Sequence, residues 1–372
     1  MTRKKKDQKT RVLHVTAARR LAGTERALLM LLDHTDRSRF EHMVVCRGNG
    51  SFQDELARRG ARMFTIRRFG RLDPIALARF AALLVGLRPN VVHIHFGRLE
   101  AIIAHLMGFP VVERKNVCRN RYYRPMLNFR AVDRLLNRFV DASITPSAAV
   151  KSHYVDRGYD PQALHVVYNG VEPAPPRSRE TVAEKRNELG LPAGGFLVAF
   201  AGRLMPEKGV DVLLSALAQL PEQICCVLMG EGPCREMYQQ HAEQLGLGRR
   251  AVFTGYRNDV REVFACADAV AVPSYSEPLA NVTLEAMAEG KPVVATAVEG
   301  TPEAVEDGVT GILVPPGDAA ALAESIATLA ADHEVVRRMG AEGRNAALGR
   351  HSPERMARQT ENIYGYQPCG TT

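Results

Sequence analysis

Phe196-Leu-Val-Ala-Phe-Ala-Gly-Arg-Leu-Met-Pro-Glu-Lys-Gly209 passes from six apolar residues straight into a loop with a glycine at each end and two cations between. An unbroken apolar run of this length reads as a strand covered on both faces, which is the parallel-sheet pattern. The pattern after Val210 is helical. The loop therefore lies at the carboxyl end of a strand and opens a helix, where α/β sheets bind their ligands. Gly202 and Gly209 permit close backbone approach. Arg203 brings a planar fork of donors and Lys208 a point charge, a pair suited to the oxygens of a diphosphate. A capped helix start carrying surface charges is the plainer alternative.

Further along the chain the same strand–loop–helix grammar recurs. Gly230-Glu-Gly-Pro233 follows the strand Ile224–Met229, with Pro233 placed as a first helical residue. Helix N-termini of this kind attract anions, although an ordinary tight turn has the same spelling. Glu277-Pro-Leu-Ala-Asn-Val-Thr-Leu-Glu285 follows the strand Ala269–Val272. Asn281 is expected as the helix N-cap, which puts Glu285 in the first turns and Glu277 in the loop before it. Two carboxylates so placed can each accept hydroxyl hydrogen bonds from a vicinal diol. An acidic helix start favoured by the macrodipole would look similar.

Over the whole chain, β-rich runs alternate with helical patterns. In the first half the expected strands are Val12–Thr16, His42–Cys46, Arg62–Ile66, Val91–His95, Pro110–Val112, Ala142–Thr145 and Leu164–Tyr168. In the second they are Phe196–Ala201, Ile224–Met229, Ala251–Thr254, Ala269–Val272 and Pro292–Ala295. Val171-Glu-Pro-Ala-Pro-Pro-Arg177 interrupts the series and suits an extended linker. The expected architecture is α/β: two Rossmann-like doubly wound domains facing a cleft. The organisation is a basic tail over 1–10, a first domain over 11–172, a linker over 173–177, a second domain over 178–350 and a last helix over 351–366.

The formal net charge of +8 is unevenly shared. Residues 1–172 hold 31 Lys and Arg against 15 Asp and Glu, and the remainder 18 against 26. That asymmetry suits an anionic substrate or an anionic membrane surface for the first half, or simply an arginine-rich solvated face. The seven cysteines show no C-x-x-C pair and no framework spacing, which points to a reducing compartment. The basic start carries no apolar signal region, and no segment approaches the ~18–20 apolar residues of a membrane span. A cytoplasmic protein is expected, with peripheral contact to the inner face of an anionic membrane as a further option.

Gly202–Gly209, Gly230–Pro233, Thr254-Gly-Tyr256, Glu277…Glu285, Glu299-Gly-Thr-Pro-Glu303 and Asp307-Gly-Val-Thr-Gly-Ile-Leu-Val-Pro-Pro-Gly-Asp318 occur in this order. Together they resemble the retaining glycosyltransferases of family four, also described as glycosyl transferases group 1. The resemblance covers most of residues 165–350. It implies a GT-B fold with the donor nucleotide on the second domain and sugar transfer from a nucleoside diphosphate sugar to a glycan or lipid-linked acceptor. In such a site Arg203 and Lys208 contact the diphosphate, Glu277 reads hydroxyls of the transferred sugar and Glu285 those of the ribose. Tyr256 and Arg257 line the base, and Gly23, Gly202, Gly230, Leu279, Ala280 and Asn281 complete the donor pocket. The last helix commonly crosses back to the first domain. No cofactor is expected, since two cations take the place of an Asp-x-Asp metal.

The first half matches less closely. Ala22-Gly23-Thr24-Glu25 keeps only the second glycine of the Gly-Gly-x-Glu turn, and Val111-Val-Glu-Arg-Lys-Asn116 has no histidine where many members place one. Acceptor candidates are therefore His95, Arg114 and Asn116. His93 and His95 share one face of their strand, a spacing that can also bind metal, but no third ligand is evident beside them. Arg114–Arg124 could hold an anionic glycan or lipid pyrophosphate; it lacks any nucleic-acid fold motif. A sugar-nucleotide 2-epimerase, a nicotinamide oxidoreductase and a non-catalytic nucleotide-sugar binder remain as alternatives, the oxidoreductase weakened by the missing Gly-x-Gly-x-x-Gly.

Overall fold

The structure is a computed structural model and describes residues 9–19, 23–48, 50–67, 73–116, 135–190 and 194–365. Most of the basic tail and most of Arg114–Arg124 lie outside those residues. The chain forms two compact units. Described residues 9–116, 135–170 and 353–365 belong to the first, and those from 171 to 352 to the second.

The first unit is built on β1 (Thr10–Val15), β2 (Phe40–Cys46), β3 (Arg62–Thr65), β4 (Val91–Ile94), β5 (Val111–Arg114), β6 (Ala142–Thr145) and β7 (Leu164–Val166), ordered β3-β2-β1-β4-β5-β6-β7. Every described pairing is parallel. Parallel strands need crossovers, and the helices between them cover both faces. Along β1 the coverage alternates: Val12 packs with Leu28, Leu32 and Phe40 on one side, while Leu13 and Val15 pack with Phe80 and Leu84 on the other. Helix Pro74–Leu87 shows how such a crossover starts and stops. Asp73 accepts hydrogen bonds from the Ile75 and Ala76 amides at 3.0 and 3.3 Å, Pro74 opens the first turn, and left-handed Arg88 ends the last.

The second unit is built on β8 (Phe196–Ala201), β9 (Ile224–Met229), β10 (Ala251–Gly255), β11 (Ala269–Val272), β12 (Val293–Thr296) and β13 (Gly311–Val314), ordered β10-β9-β8-β11-β12-β13. Strand β13 lies inside the Asp307–Asp318 motif, where no strand is expected from the sequence. Its four residues start with a glycine and carry too little pattern to separate them from a loop. It is fixed by pairing with β12, with Val294 opposite Ile312. Other strand ends differ from expectation by one or two residues, as with Val111–Arg114 in place of Pro110–Val112. Ladder hydrogen bonds, and not apolarity, set those ends.

The chain order reverses at β1/β4 in the first sheet and at β8/β11 in the second. These are the topological switch points, and crevices form beyond the carboxyl ends of those strands. The Pro-rich stretch after Val171 is extended but anchored to the second unit. The Val171 amide donates to the His351 carbonyl at 2.8 Å, and Ala174 is buried. Arg177 pairs with the Glu289 carboxylate, which also accepts from Arg261 Nε at 2.7 Å. The helix Pro353–Tyr364 packs on the first unit. Met356, Ala357, Ile363 and Tyr364 join the core shared with helix Gly23–His34, and the Asp36 amide donates to Glu361 Oε1 at 2.7 Å.

Candidate functional site

Because β8 and β11 are neighbours, the loops that follow them meet. Pro206–Lys208 forms a 3₁₀ turn, Gly209 takes a left-handed conformation at φ 64°, and helix Val210–Ala218 begins. A β-carbon on Gly209 would lie 2.0 Å from the Pro273 carbonyl oxygen, so only glycine lets the two loops approach this closely. The Tyr275 amide donates to the Glu207 carbonyl at 2.8 Å and ties the loops again. The consequence is chemical. Lys208 Nζ reaches Glu277 Oε2 at 2.5 Å, and the Ser274 hydroxyl donates to the same oxygen at 3.2 Å.

Glu277 is buried, while Lys208 is half-buried and Arg203 exposed. The Arg203 carbonyl accepts from the Met205 amide at 2.9 Å, while its guanidinium forms no hydrogen bond or ion pair among the described residues. The loop around Glu277 is braced from a third direction. Ser276 donates to the Glu299 carboxylate at 3.0 and 3.1 Å, and the Gly300 amide to the Glu277 carbonyl at 3.2 Å. Glu299 itself holds φ 45°, an uncommon left-handed backbone for a non-glycine residue. Sites under functional constraint collect such strain.

Gly230 stands at the end of β9 with φ 148°, and a β-carbon there would fall 1.8 Å from the Gly202 carbonyl oxygen. The glycine turns after β8 and β9 are thus pressed together with no room for side-chain bulk, and the Gly202 and Gly230 amides donate to the Met229 and Gly255 carbonyls at 3.0 and 2.8 Å. Ala280 precedes the first helical residue, Asn281, with no side-chain capping hydrogen bond. The expected Asn281 N-cap is therefore displaced by one position. Glu285 is the fifth residue of that helix and half-buried, while the Leu279 and Ala280 side chains are buried. Tyr256 is exposed beyond β10. Arg257 is engaged in ion pairs: its Nε donates to Asp259 at 2.7 Å, and it pairs with Glu188 at 2.7 Å. That carboxylate pair arises from helix Arg179–Glu188 and the loop after β10, a juxtaposition that local sequence cannot show.

In the first unit, Gly23 opens helix Gly23–His34 and is exposed. Arg114 and Asn116 belong to one hydrogen-bonded network. Arg114 Nε donates to Asn116 Oδ1 at 2.9 Å, Asn116 Nδ2 donates to Thr24 Oγ1 at 3.2 Å, and Arg114 also pairs with Asn169. Burial pushes the Arg114 guanidinium down to about 10, against the opposing pull of Tyr364. Arg114 is 8% exposed, with its guanidinium engaged by Asn116 and Asn169.

His95 follows β4 and is half-buried, with its ring stacked on His93 at 4.1 Å between centroids. Two residues that the sequence alone did not single out, His14 of β1 and His42 of β2, face the same side. The contacts form a series. Thr35 donates its one hydroxyl hydrogen to Glu361 Oε1 at 2.8 Å, so it accepts from His42 Nε2 at 2.9 Å. His42 Nδ1 is then an acceptor, and His14 Nε2 donates to it at 2.8 Å. That leaves His14 Nδ1 unprotonated, 3.1 Å from His95 Nε2. His93 Nδ1 lies 2.7 Å from the Tyr364 hydroxyl. Desolvation drives all four imidazoles toward the neutral form. His42 falls to about 4 and His95 to about 3, with Arg114 also lowering His95, while His14 and His93 fall well below the ordinary value.

The sequence profile of the family described as Glycosyl transferases group 1 matches residues 181–346, and that of Glycosyltransferase Family 4 matches residues 21–174. A D-inositol 3-phosphate glycosyltransferase of Corynebacterium efficiens is 39% identical over 201 residues, which are 50% of this chain and 47% of that protein. An alpha-maltose-1-phosphate synthase of Mycolicibacterium smegmatis is 34% identical over 255 residues, covering 63% of this chain and 65% of its own length. The chain thus spans about half to two thirds of these curated relatives. The crystal structure of Anabaena Alr3699/HepE in complex with UDP-glucose superposes with a TM-score of 0.85 at 27% identity, over 96% of this chain and 100% of that one. Two parallel Rossmann-like sheets, each with its switch point, and two adjoining family profiles lead to one assignment: the chain belongs to the family-four glycosyltransferases of GT-B fold.

Proposed function

We propose that the chain is a retaining glycosyltransferase that moves a sugar from a nucleoside diphosphate sugar to an acceptor hydroxyl in cell-surface glycan or glycolipid synthesis. The observation that carries this reading is the Lys208–Glu277 contact at the β8/β11 switch point, with exposed Arg203 on the same loop. The solved Anabaena neighbour binds UDP-glucose, and the curated relatives are named for transfer to a phosphorylated inositol and for maltose-1-phosphate synthesis.

In this reading the donor diphosphate lies over Gly202 and Gly230, whose missing side chains leave room for its close approach. Leu279, Ala280 and Asn281 contribute through the helix N-terminus and backbone, since the first two side chains are buried. Glu285 reads the ribose hydroxyls and Tyr256 offers a ring face to the base. Arg257 acts through Asp259, holding the loop after β10. Charge develops on the leaving diphosphate in the transition state, and Arg203 and Lys208 stabilise it there. No metal is required for that step, because the two cations supply the countercharge. Glu277 serves twice, since it holds Lys208 in position and accepts a hydroxyl of the transferred sugar. The leaving phosphate takes the acceptor proton.

The first unit supplies the acceptor side, with His95 at its β1/β4 switch point and Asn116 beside Thr24, while Gly23 approaches the donor. Among the described residues no helix is long and apolar enough to cross a membrane. Peripheral contact through the basic first half, with a lipid-linked acceptor, is the arrangement we propose. Incubation with a panel of nucleotide sugars, followed by mass spectrometry, tests the reading. Sugar transfer or donor hydrolysis with at least one donor is expected. Silence with every donor refutes catalysis, and release of an epimerised sugar without acceptor points to the epimerase instead.

A further inference from the structure

The i, i+2 pair His93 and His95 acquires a third imidazole only in three dimensions. His14 stands opposite His93 in the β1/β4 ladder, and one ring nitrogen from each of His14, His93 and His95 lies within 4.8 Å of the other two. We infer that these three side chains form a binding site for a single borderline-soft divalent cation of the zinc or cobalt type, distinct from the donor site.

Four observations support it. His14 and His93 are completely buried, yet His93 Nε2 has no hydrogen-bond partner. Orphaned buried polar atoms are rare and call for an explanation. The spacing fits: zinc–nitrogen bonds of about 2.0–2.1 Å in a tetrahedral site place ligand nitrogens about 3.3 Å apart. The His14 Nδ1 to His95 Nε2 separation is 3.1 Å; the remaining separations lie within 4.8 Å and close by up to about 1.5 Å on binding.

The tautomers also fit. The series from Glu361 through Thr35 and His42 leaves a bare lone pair on His14 Nδ1. Tyr364 takes the Nδ1 side of His93 and leaves Nε2 for a ligand. Histidine ligands ordinarily donate their second N–H to an outer partner, and His42 and Tyr364 stand in those positions. For His95 to bind through Nε2, its proton moves to Nδ1. Finally, the ligand set selects the cation. Among the described residues the group holds three nitrogens and no carboxylate, which disfavours magnesium and calcium and suits zinc, cobalt or nickel. Arg114 acts against any cation there, so the bond to nitrogen must supply the affinity, and not charge alone. A buried water on the orphaned nitrogen is the competing occupant.

The test uses the full chain, stripped with chelator and then titrated with Co²⁺ and, separately, Zn²⁺. The expected result is one equivalent bound, the visible absorption of tetrahedral Co²⁺, its loss when Zn²⁺ displaces it, and a raised thermal midpoint. His14→Gln and His93→Gln should each abolish the tetrahedral signal. Tyr364→Phe should weaken binding by about tenfold, as loss of an outer partner does. Absence of stoichiometric uptake by the unaltered chain overturns the inference without any variant having to fold. Uptake that survives both glutamine substitutions unchanged also overturns it, since the metal would then sit on other histidines.

Discussion

The two sheets share a winding order, and each is broken at its central switch point, yet they place opposite chemistry there. At β8/β11 the second unit presents an ion pair, Lys208 with Glu277, beside an exposed arginine. At β1/β4 the first unit presents three stacked or bonded imidazoles that burial keeps neutral. The difference lies in where the side chains come from. In the second unit they stand on loops past the strand ends, where Lys208 and Glu277 pair with each other. In the first, His14 and His93 stand within the strands themselves, beneath the last helix, where desolvation removes the charge. On the two proposals, the same topology yields a site for an anion in one unit and a cation site in the other.

Removing the charge from the second switch point should have the largest effect. Lys208→Ala should lower transfer by about 100–1000-fold in kcat, the magnitude for losing one transition-state charge partner, measured by initial rates with the preferred donor. It also takes the ion-pair partner from the buried Glu277 carboxylate, so some loss in thermal midpoint accompanies it. Wild-type kcat in this variant would erase the contrast between the units, because the second site would then not work by charge.

Gly230→Ala tests whether the backbone crowding matters as much as the charge. Strain at φ 148° and the overlap with the Gly202 carbonyl should cost about 3 kcal/mol or more, read by chemical denaturation of the full chain. A stable variant with normal donor affinity would show that the turn can open without loss.

On the first unit, Tyr364→Phe keeps the ring in its apolar core and removes only the hydroxyl at His93 Nδ1. A destabilisation of about 1–2 kcal/mol is expected from the buried nitrogen left unpaired. No change in the denaturation midpoint would mean that the imidazole cluster is satisfied in another way. Arg257→Ala should do least. Its contacts with Asp259 and Glu188 are near the surface, so about 1 kcal/mol or less of stability and under about threefold in donor KM are expected. A large KM increase would return Arg257 to direct contact with the base.

Local sequence specifies the parallel α/β class, the strand–loop–helix placement of Gly202–Gly209, and the residue types gathered in Glu277…Glu285. These are legible because apolar runs, glycines and loop charges act over a few residues, and periodicity and turn chemistry are local. The second unit reads more clearly than the first, whose motifs are sparser.

Long-range packing settles the rest. It makes Glu277 the partner of Lys208, a contact across 69 positions set by the adjacency of β8 and β11. It moves Arg257 into ion pairs and Arg114 into a hydrogen-bonded network, and it forms β13 by pairing with β12. It brings His14 against His93, whose neighbourhood exists only because β1 and β4 lie side by side, with Tyr364 closing over them from the far end of the chain. Nothing in a stretch of sequence encodes which strands become neighbours; that choice belongs to the packing of the whole unit, and the ionisation of these residues follows from it.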